Sequence, residues 1–350
     1  MRHSSTTAYK MTVSELRQHV SNALLEFAWD EWTQMGVLAA AHRRSKWSAD
    51  PEAHLLFALQ IGRDEPRLFE EILDWWASNT RLISIQRFRN IFASRDDQRL
   101  GEAALAWVTR TGSRTRVAPR APDGAQRAPE PLFYRQRPPS NPDQAFLEFG
   151  FAKPKTRRSH KSRTPDPKAP INFAFLLRQG LGVGSRAEII RFLTTANAPS
   201  AFESRPLFTT LSIADAAGFA KRNVQDTLAT LVEIGWIHQI VRGNEYLYEV
   251  DVERWRRFLG LDEFPRQRDW VDALHAFRAL HRWLHEAELA NYTPYMLSSE
   301  ARRLMRGIEP SLGFAGIAVS AEDAPGERYW EAFVRKVDQM LASLAAGLAW

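Results

Sequence analysis

The sequence predicts a mainly α protein: a helical N-terminal domain over residues 12–110, a central helix-turn-helix with a small antiparallel β wing over 171–251, and a C-terminal helical bundle over 252–350. Three observations carry this. Apolar residues recur on spacings of three and four through the first and last of these spans. Between Trp236 and Val250 the period changes to two on either side of a turn at Arg242-Gly243-Asn244. Residues 111–170 replace both patterns with proline, arginine and serine, the composition of a flexible basic linker.

In the first domain, Thr12 and Glu15 form a capping box, and Leu16, Val20, Leu24 and Phe27 then make a stripe that ends at Gly36. Asp50-Pro51 places a cap and a first-turn proline before a second helix carrying Leu55, Leu56, Leu59 and Ile61. Asp64 starts a third, with Leu68, Phe69, Ile72, Leu73, Trp75 and Trp76, and two further helices are expected over 83–92 and 99–108. Aromatic residues at helical spacing read as core rather than as a ligand pocket. Trp29, Trp32 and Trp47 fall partly off the stripe and suggest an interface.

The basic charge is concentrated. The chain carries +6 overall, but from Arg110 to Lys168 there are fourteen Lys or Arg against five Asp or Glu, so the remainder is about −3. Within this segment residues 145–151 are an apolar island suited to docking as a short strand or turn. Arg157, Arg158, Lys161 and Arg163 form a basic arm, either tracking phosphates or serving as a solvated tether.

A short helix is expected over 171–178. The glycines of QGLGVGS that follow lack the Lys-Ser or Lys-Thr pair of a phosphate-binding loop and the strand before a dinucleotide turn, so they read as a connection. Ser185 with Glu188 is expected to cap the next helix, which carries Ile189, Ile190, Phe192 and Leu193, and Ser212 with Asp215 a second. Gly218 supplies the turn to a third helix, whose Val224, Leu228, Leu231 and Val232 face inward until Gly235. Trp236 to Val241 and Tyr246 to Val250 are the two wing strands. With that stripe on the core, Lys221, Arg222, Asn223 and Gln225 project from the first turn of the third helix. These side chain types match phosphates, guanine edges and adenine edges in a major groove. Arg242 and Asn244 at the wing tip reach the neighbouring backbone or minor groove.

On Ile213-Ala214, Gly218, Val224, Leu228, Leu231, Gly235 and Tyr248, this stretch of about 65 residues resembles the winged helix-turn-helix regulators of bacteria, in the manner of the ArsR and MarR families. The resemblance implies a DNA-binding module; no effector site carries over with it. The same shape also serves as a protein-docking module.

Beyond the wing, Asp251 caps a helix expected to turn Trp255, Phe258 and Leu259 inward and Arg254, Arg256 and Arg257 outward. A long helix over 269–289 carries Trp270, Ala273, Leu274, Phe277, Leu280 and Leu284, with His281 and His285 one turn apart. That is a metal-ligand spacing, but with Arg-Trp-Leu between them and no third ligand it reads as a polar flank. A short helix over 298–305 and a final amphipathic helix over 327–348 complete the chain; the last closes the bundle or pairs with a second copy.

The absence of cysteine excludes disulfides and thiolate chemistry, and without an apolar N-terminal core or an eighteen-residue apolar run the expectation is a cytoplasmic protein with no membrane association. No nucleophile elbow or facing carboxylate pair is legible, so neither catalysis nor a cofactor or metal is expected. The sequence therefore points to a sequence-specific protein of double-stranded DNA, a bacterial transcriptional regulator that could dimerise. From 171 to 260 ten basic residues stand against nine acidic ones, and this near-neutrality keeps open an interaction protein, such as an antitoxin-like or complex-assembly factor docking a protein partner. A ligand-responsive regulator with a pocket in one of the bundles is a third possibility.

Overall fold

The computed structural model describes residues 11–39, 43–111, 118–120, 128–196, 207–321, 324–346 and 348–349. It is mainly helical. In order, it holds α1 (Val13–Gln34), β1 (Arg44–Ser45), α2 (Pro51–Ile61), α3 (Pro66–Ser78), α4 (Ile85–Asn90), α5 (Arg95–Arg110), β2 (Glu130–Pro131), α6 (Gln144–Leu147) and β3 (Phe151–Ala152). There follow α7 (Phe173–Leu181), α8 (Ser185–Thr195), β4 (Phe208–Thr209), α9 (Thr210–Ala217), α10 (Lys221–Glu233), β5 (His238–Arg242), β6 (Glu245–Glu249) and α11 (Val252–Leu259). Then come α12 (Trp270–Leu284), α13 (Pro294–Phe314), α14 (Tyr329–Ala345) and β7 (Leu348–Ala349). Among the described residues no helix is long and apolar enough to cross a membrane.

The chain divides into two compact units, Met1–Ala28 with Asp269–Gly347, and Trp29–Arg268 with Leu348–Trp350. In the first, the Thr12–Glu15 capping box forms as expected, with the Thr12 N–H donating to Glu15 Oε2 at 2.7 Å and the Glu15 N–H to Thr12 Oγ1 at 3.2 Å. Leu16, Val20, Leu24 and Phe27 are buried, as are Trp270, Leu274, Phe277 and Leu280 of α12. Phe333, Val337, Leu341 and Leu344 of α14 are buried too, so its apolar face closes this bundle. The indole of Trp330 donates to the Met11 carbonyl at 2.6 Å, tying the start of the chain to α14.

In the second unit, Asp50 and Pro51 open α2 as expected, Asp50 accepting from the Ala53 N–H at 3.1 Å. Trp32 is core rather than interface: it is fully buried edge-on to Trp75, ring centroids 4.8 Å apart. The span expected to be a flexible linker is, from residue 128 on, packed chain. β2 and β3 pair in parallel, Leu132, Phe133, Phe146 and Phe151 are buried, and Phe133 and Phe146 lie against Phe69 of α3 at 5.6 and 5.7 Å. Apolar residues at the right intervals were enough to dock a segment whose average composition reads as coil. Residues 112–117 and 121–127 lie outside the described residues.

Residues 171–251 are therefore no separate body; they share a unit with α2 to α5, and a buried ring of charges links the two parts. Arg87 Nη1 donates to Asp50 Oδ1 at 2.5 Å and to Glu52 Oε2 at 2.8 Å. Arg178 grips Glu52 with two parallel bonds of 2.7 Å, and its Nε donates to Glu188 Oε1 at 2.8 Å. Arg191 closes the circle, donating to Glu188 Oε2 at 2.8 Å and to Asp50 Oδ2 at 3.4 Å. Three guanidinium groups alternate with three carboxylates, all buried, so the ring is neutral as a whole. Glu188 is thus spent here, and the Ser185–Glu188 capping box does not form; Gly184 holds the cap position without a side-chain bond.

Burial pushes the carboxyls of Asp50 and Glu188 up. The guanidinium groups of Arg87 and Arg191 around Asp50, and of Arg178 and Arg191 around Glu188, overcome this, leaving Asp50 well below the carboxylate range and Glu188 at about 2. Removing one member strands a buried charge, so Arg87→Ala is expected to lower unfolding free energy by about 3–5 kcal/mol in denaturant titrations; a loss under about 1 kcal/mol would mean that water or rearrangement heals the ring. Because both carboxyls ionise more readily folded than unfolded, their contribution is complete above the ordinary carboxylate range and shrinks as pH falls toward about 2. Unfolding midpoints measured between neutral pH and pH about 3 should decline accordingly, with a shallower decline in Glu188→Gln; parallel slopes would contradict this.

Candidate nucleic-acid interface

The central surface is assembled by α8, α9 and α10 around one apolar cluster that includes Ile189, Ile190, Leu193, Ile213, Val224, Leu228, Leu231 and Ile237. α9 starts earlier than Ser212 implies. Thr209, at the end of β4, is the true cap, its Oγ1 accepting from the Ser212 N–H at 3.2 Å. β4 itself escaped the sequence, being two residues long, and it pairs antiparallel with β6 to give the sheet order β4-β6-β5. In the hairpin His238 lies opposite Glu249 and Arg242 opposite Glu245, around Gly243 at φ +60°.

The turn from α9 to α10 is held from below. Gly218 is left-handed at φ +69°, Arg87 Nε donates to the Ala217 carbonyl at 2.7 Å, and Asn90 Nδ2 to the Gly218 carbonyl at 3.2 Å. A Cβ on Gly218 would lie 2.9 Å from Arg87 Nε, so glycine is required there both for its backbone angle and for the guanidinium beneath it. The charge ring thus reaches the turn that orients α10.

Val224, Leu228 and Leu231 of α10 are fully buried. Its other side carries Lys221, Arg222, Asn223 and Gln225, all exposed, and Arg242 and Asn244 are exposed on the hairpin turn. Among the described residues none of these six side chains has a hydrogen-bond or ion-pair partner. Ala220 gives α10 no side-chain cap, so its first N–H groups have no side-chain acceptor. Two exposed carboxylates, Asp226 and Glu233, share this side, the second at the far end of the helix. The hairpin also exposes apolar surface: Val241 is 65% and Tyr246 56% exposed.

The basic arm is not a free tether. It is strapped along α3, where Lys153 pairs with Glu70 at 2.6 Å and Arg158 Nε donates to Asp74 Oδ1 at 2.9 Å. Burial pushes the Asp74 carboxyl up, and the bond from Arg158 outweighs it, holding the group below its ordinary value. Gly36, expected only to stop α1, lets the strap pass: its φ is +106° and a Cβ would fall 2.5 Å from the Arg163 carbonyl oxygen. Arg158 is therefore engaged within the protein, while Arg157, Lys161 and Arg163 remain exposed. In the other unit His281 and His285 face each other with ring centroids 4.4 Å apart, and His285 Nδ1 lies 2.8 Å from the His281 carbonyl.

Comparison of the chain with known protein families, with curated proteins and with solved structures finds no match. Substituting Gly218→Ala is expected to cost clearly more stability than Gly243→Ala, although both positions carry the left-handed penalty of roughly 1–2 kcal/mol, because only the former meets Arg87. Equal losses in thermal unfolding would show that the approach to Arg87 is not a constraint.

Proposed function

We propose that the chain is a sequence-specific binder of double-stranded DNA, with α8 to α10 and the β5–β6 hairpin acting as a winged helix-turn-helix and α10 entering the major groove. The observation that carries the reading is the division of α10 into a fully buried stripe and an exposed first turn of Lys221, Arg222, Asn223 and Gln225 whose side chains have no partner among the described residues. Those side chains supply donors for phosphates and guanine and matched pairs for adenine, and the uncapped N-terminus adds amide donors for a phosphate. Arg242 and Asn244 flank the groove from the hairpin. Arg157, Lys161 and Arg163 add sequence-independent attraction from the strap. A role in transcriptional regulation, bacterial origin, a cytoplasmic location and a homodimeric state belong to the same proposal, as does the absence of catalysis.

A protein partner is the second reading, favoured by the exposed Val241 and Tyr246 on a hairpin where a charged surface would suit DNA better.

Selection of random duplexes by the full-length protein, followed by gel shifts of the selected site, separates the two. Lys221→Ala with Arg222→Ala should weaken binding at least about tenfold and reduce the salt slope by roughly one to two. Val241→Ser with Tyr246→Ser should leave DNA binding within about twofold, on the scale where tenfold is 1.4 kcal/mol. Failure to enrich any sequence, or an undiminished shift with the cationic double variant, would abandon the DNA reading.

A further inference from the structure

A cavity of about 410 Å³ lies beside the hairpin, lined by Trp236, Arg254, Trp255, Arg257 and Phe258. Its size falls in the range of small-molecule sites, roughly 300–1,000 Å³. The sequence pattern builds it: in α11, Arg254 and Arg257 are three apart and so are Trp255 and Phe258, so both pairs share one face. Phe258, expected to turn inward, is instead 71% exposed. Its ring stands perpendicular to Trp255 at 5.6 Å, and Trp255 stands perpendicular to Trp236 at 5.6 Å. Trp255 is buried and locked by its N–H bond of 3.1 Å to the Trp236 carbonyl, which makes a fixed wall, whereas Phe258 forms an uncovered one.

The cations are also unevenly employed. Arg256 is neutralised by Glu253 at 2.9 Å. Arg254 instead spends Nη1 on the Gly235 carbonyl at 3.0 Å, and Arg257 spends Nε on the Glu253 carbonyl at 3.3 Å. Neither has a carboxylate within ion-pair distance among the described residues. Each guanidinium is thereby oriented and keeps further N–H groups for an acceptor.

We propose that this cavity is a binding site for a small aromatic anion: a flat ring packed among Trp236, Trp255 and Phe258, parallel to some of these rings and edge-on to others, carrying a carboxylate or phosphate held by Arg254 and Arg257. An uncharged aromatic would use only the walls, and an aliphatic anion only the forks; the combination of the two selects for a molecule with both parts. The site lies apart from the first turn of α10 and does not rest on the DNA reading.

Isothermal titration of the full-length protein, without DNA, tests it with two matched pairs: adenosine monophosphate against adenosine, and benzoate against benzamide. The expected result is saturable one-to-one binding of at least one anion, at least tenfold tighter than its uncharged counterpart. The pair that shows this identifies a nucleotide or a carboxylic acid as the natural class. Arg257→Ala should erase the preference for the charged member, and Phe258→Ala should weaken both members of the pair at least fivefold while circular dichroism and the thermal midpoint stay near wild type. Arg254→Lys, which keeps a donor for the Gly235 carbonyl but not the planar fork, guards against a folding artefact and should also lose tenfold. No binding of either anion at millimolar concentration, equal binding of charged and uncharged members, or unchanged affinity in Arg257→Ala and Phe258→Ala would overturn the proposal.

Discussion

The arrangement of the larger unit depends on six buried charges. A single buried guanidinium or carboxylate costs several kcal/mol, so none of Asp50, Glu52, Arg87, Arg178, Glu188 and Arg191 could be buried alone. Closed into an alternating ring, they satisfy one another: each carboxylate accepts from two arginines and each arginine donates to two carboxylates. The requirement is geometric as much as electrostatic. α2, α4, α7 and α8 must all present their side chains to one point, and apolar packing, which tolerates sliding, imposes no such demand.

That demand passes outward to the surface through Arg87. Its Nε, not needed by the ring, holds the Ala217 carbonyl, and its side chain fills the space that any Cβ on Gly218 would require. The turn between α9 and α10 is therefore positioned by the N-terminal helices, and with it the direction in which Lys221 and Arg222 point. A helix that must meet a partner in one orientation gains from such rigid support, because side chains ordered beforehand lose less entropy on binding.

Where the sequence was legible, the signal was local. The Thr12–Glu15 box, the Asp50-Pro51 start, the stripe Val224, Leu228 and Leu231, and the hairpin about Gly243 each follow from residues within one or two turns of one another. Where it was not, a long-range partner intervened. Glu188 has the spacing of a cap residue and serves Arg178 and Arg191 instead. Arg158 looks like a free cation until Asp74, far away in the chain, appears beside it. The packed strap shows the same failing in composition: proline and arginine dilute the apolar signal of Leu132, Phe133, Phe146 and Phe151 without preventing their burial. Of the candidate surface, the exposed positions could be read from the stripe opposite them. The Arg87 support beneath the turn could not, since nothing in the sequence near Arg87 indicates where its side chain ends.

The charge balance of the chain looks different once these partners are assigned. Arginines 87, 178 and 191 are consumed in the ring, Arg158 and Lys153 in the strap, and Arg256 by Glu253, each against a carboxylate, so the net charge is unchanged but the number of basic residues overstates the cations available to any polyanion. Among the described residues, the exposed cations of the central surface that have no carboxylate partner are few: Arg186 on α8, Lys221 and Arg222 on α10, Arg242 on the hairpin, and Arg254 and Arg257 at the aromatic cavity. A surface with so few cations cannot rely on a broad attractive field, which needs many phosphates neutralised together. Whatever it binds must be recognised by position, with each cation placed against a particular acceptor. Placement of that kind is what a turn fixed by Arg87 and an aromatic wall locked by Trp255 would provide.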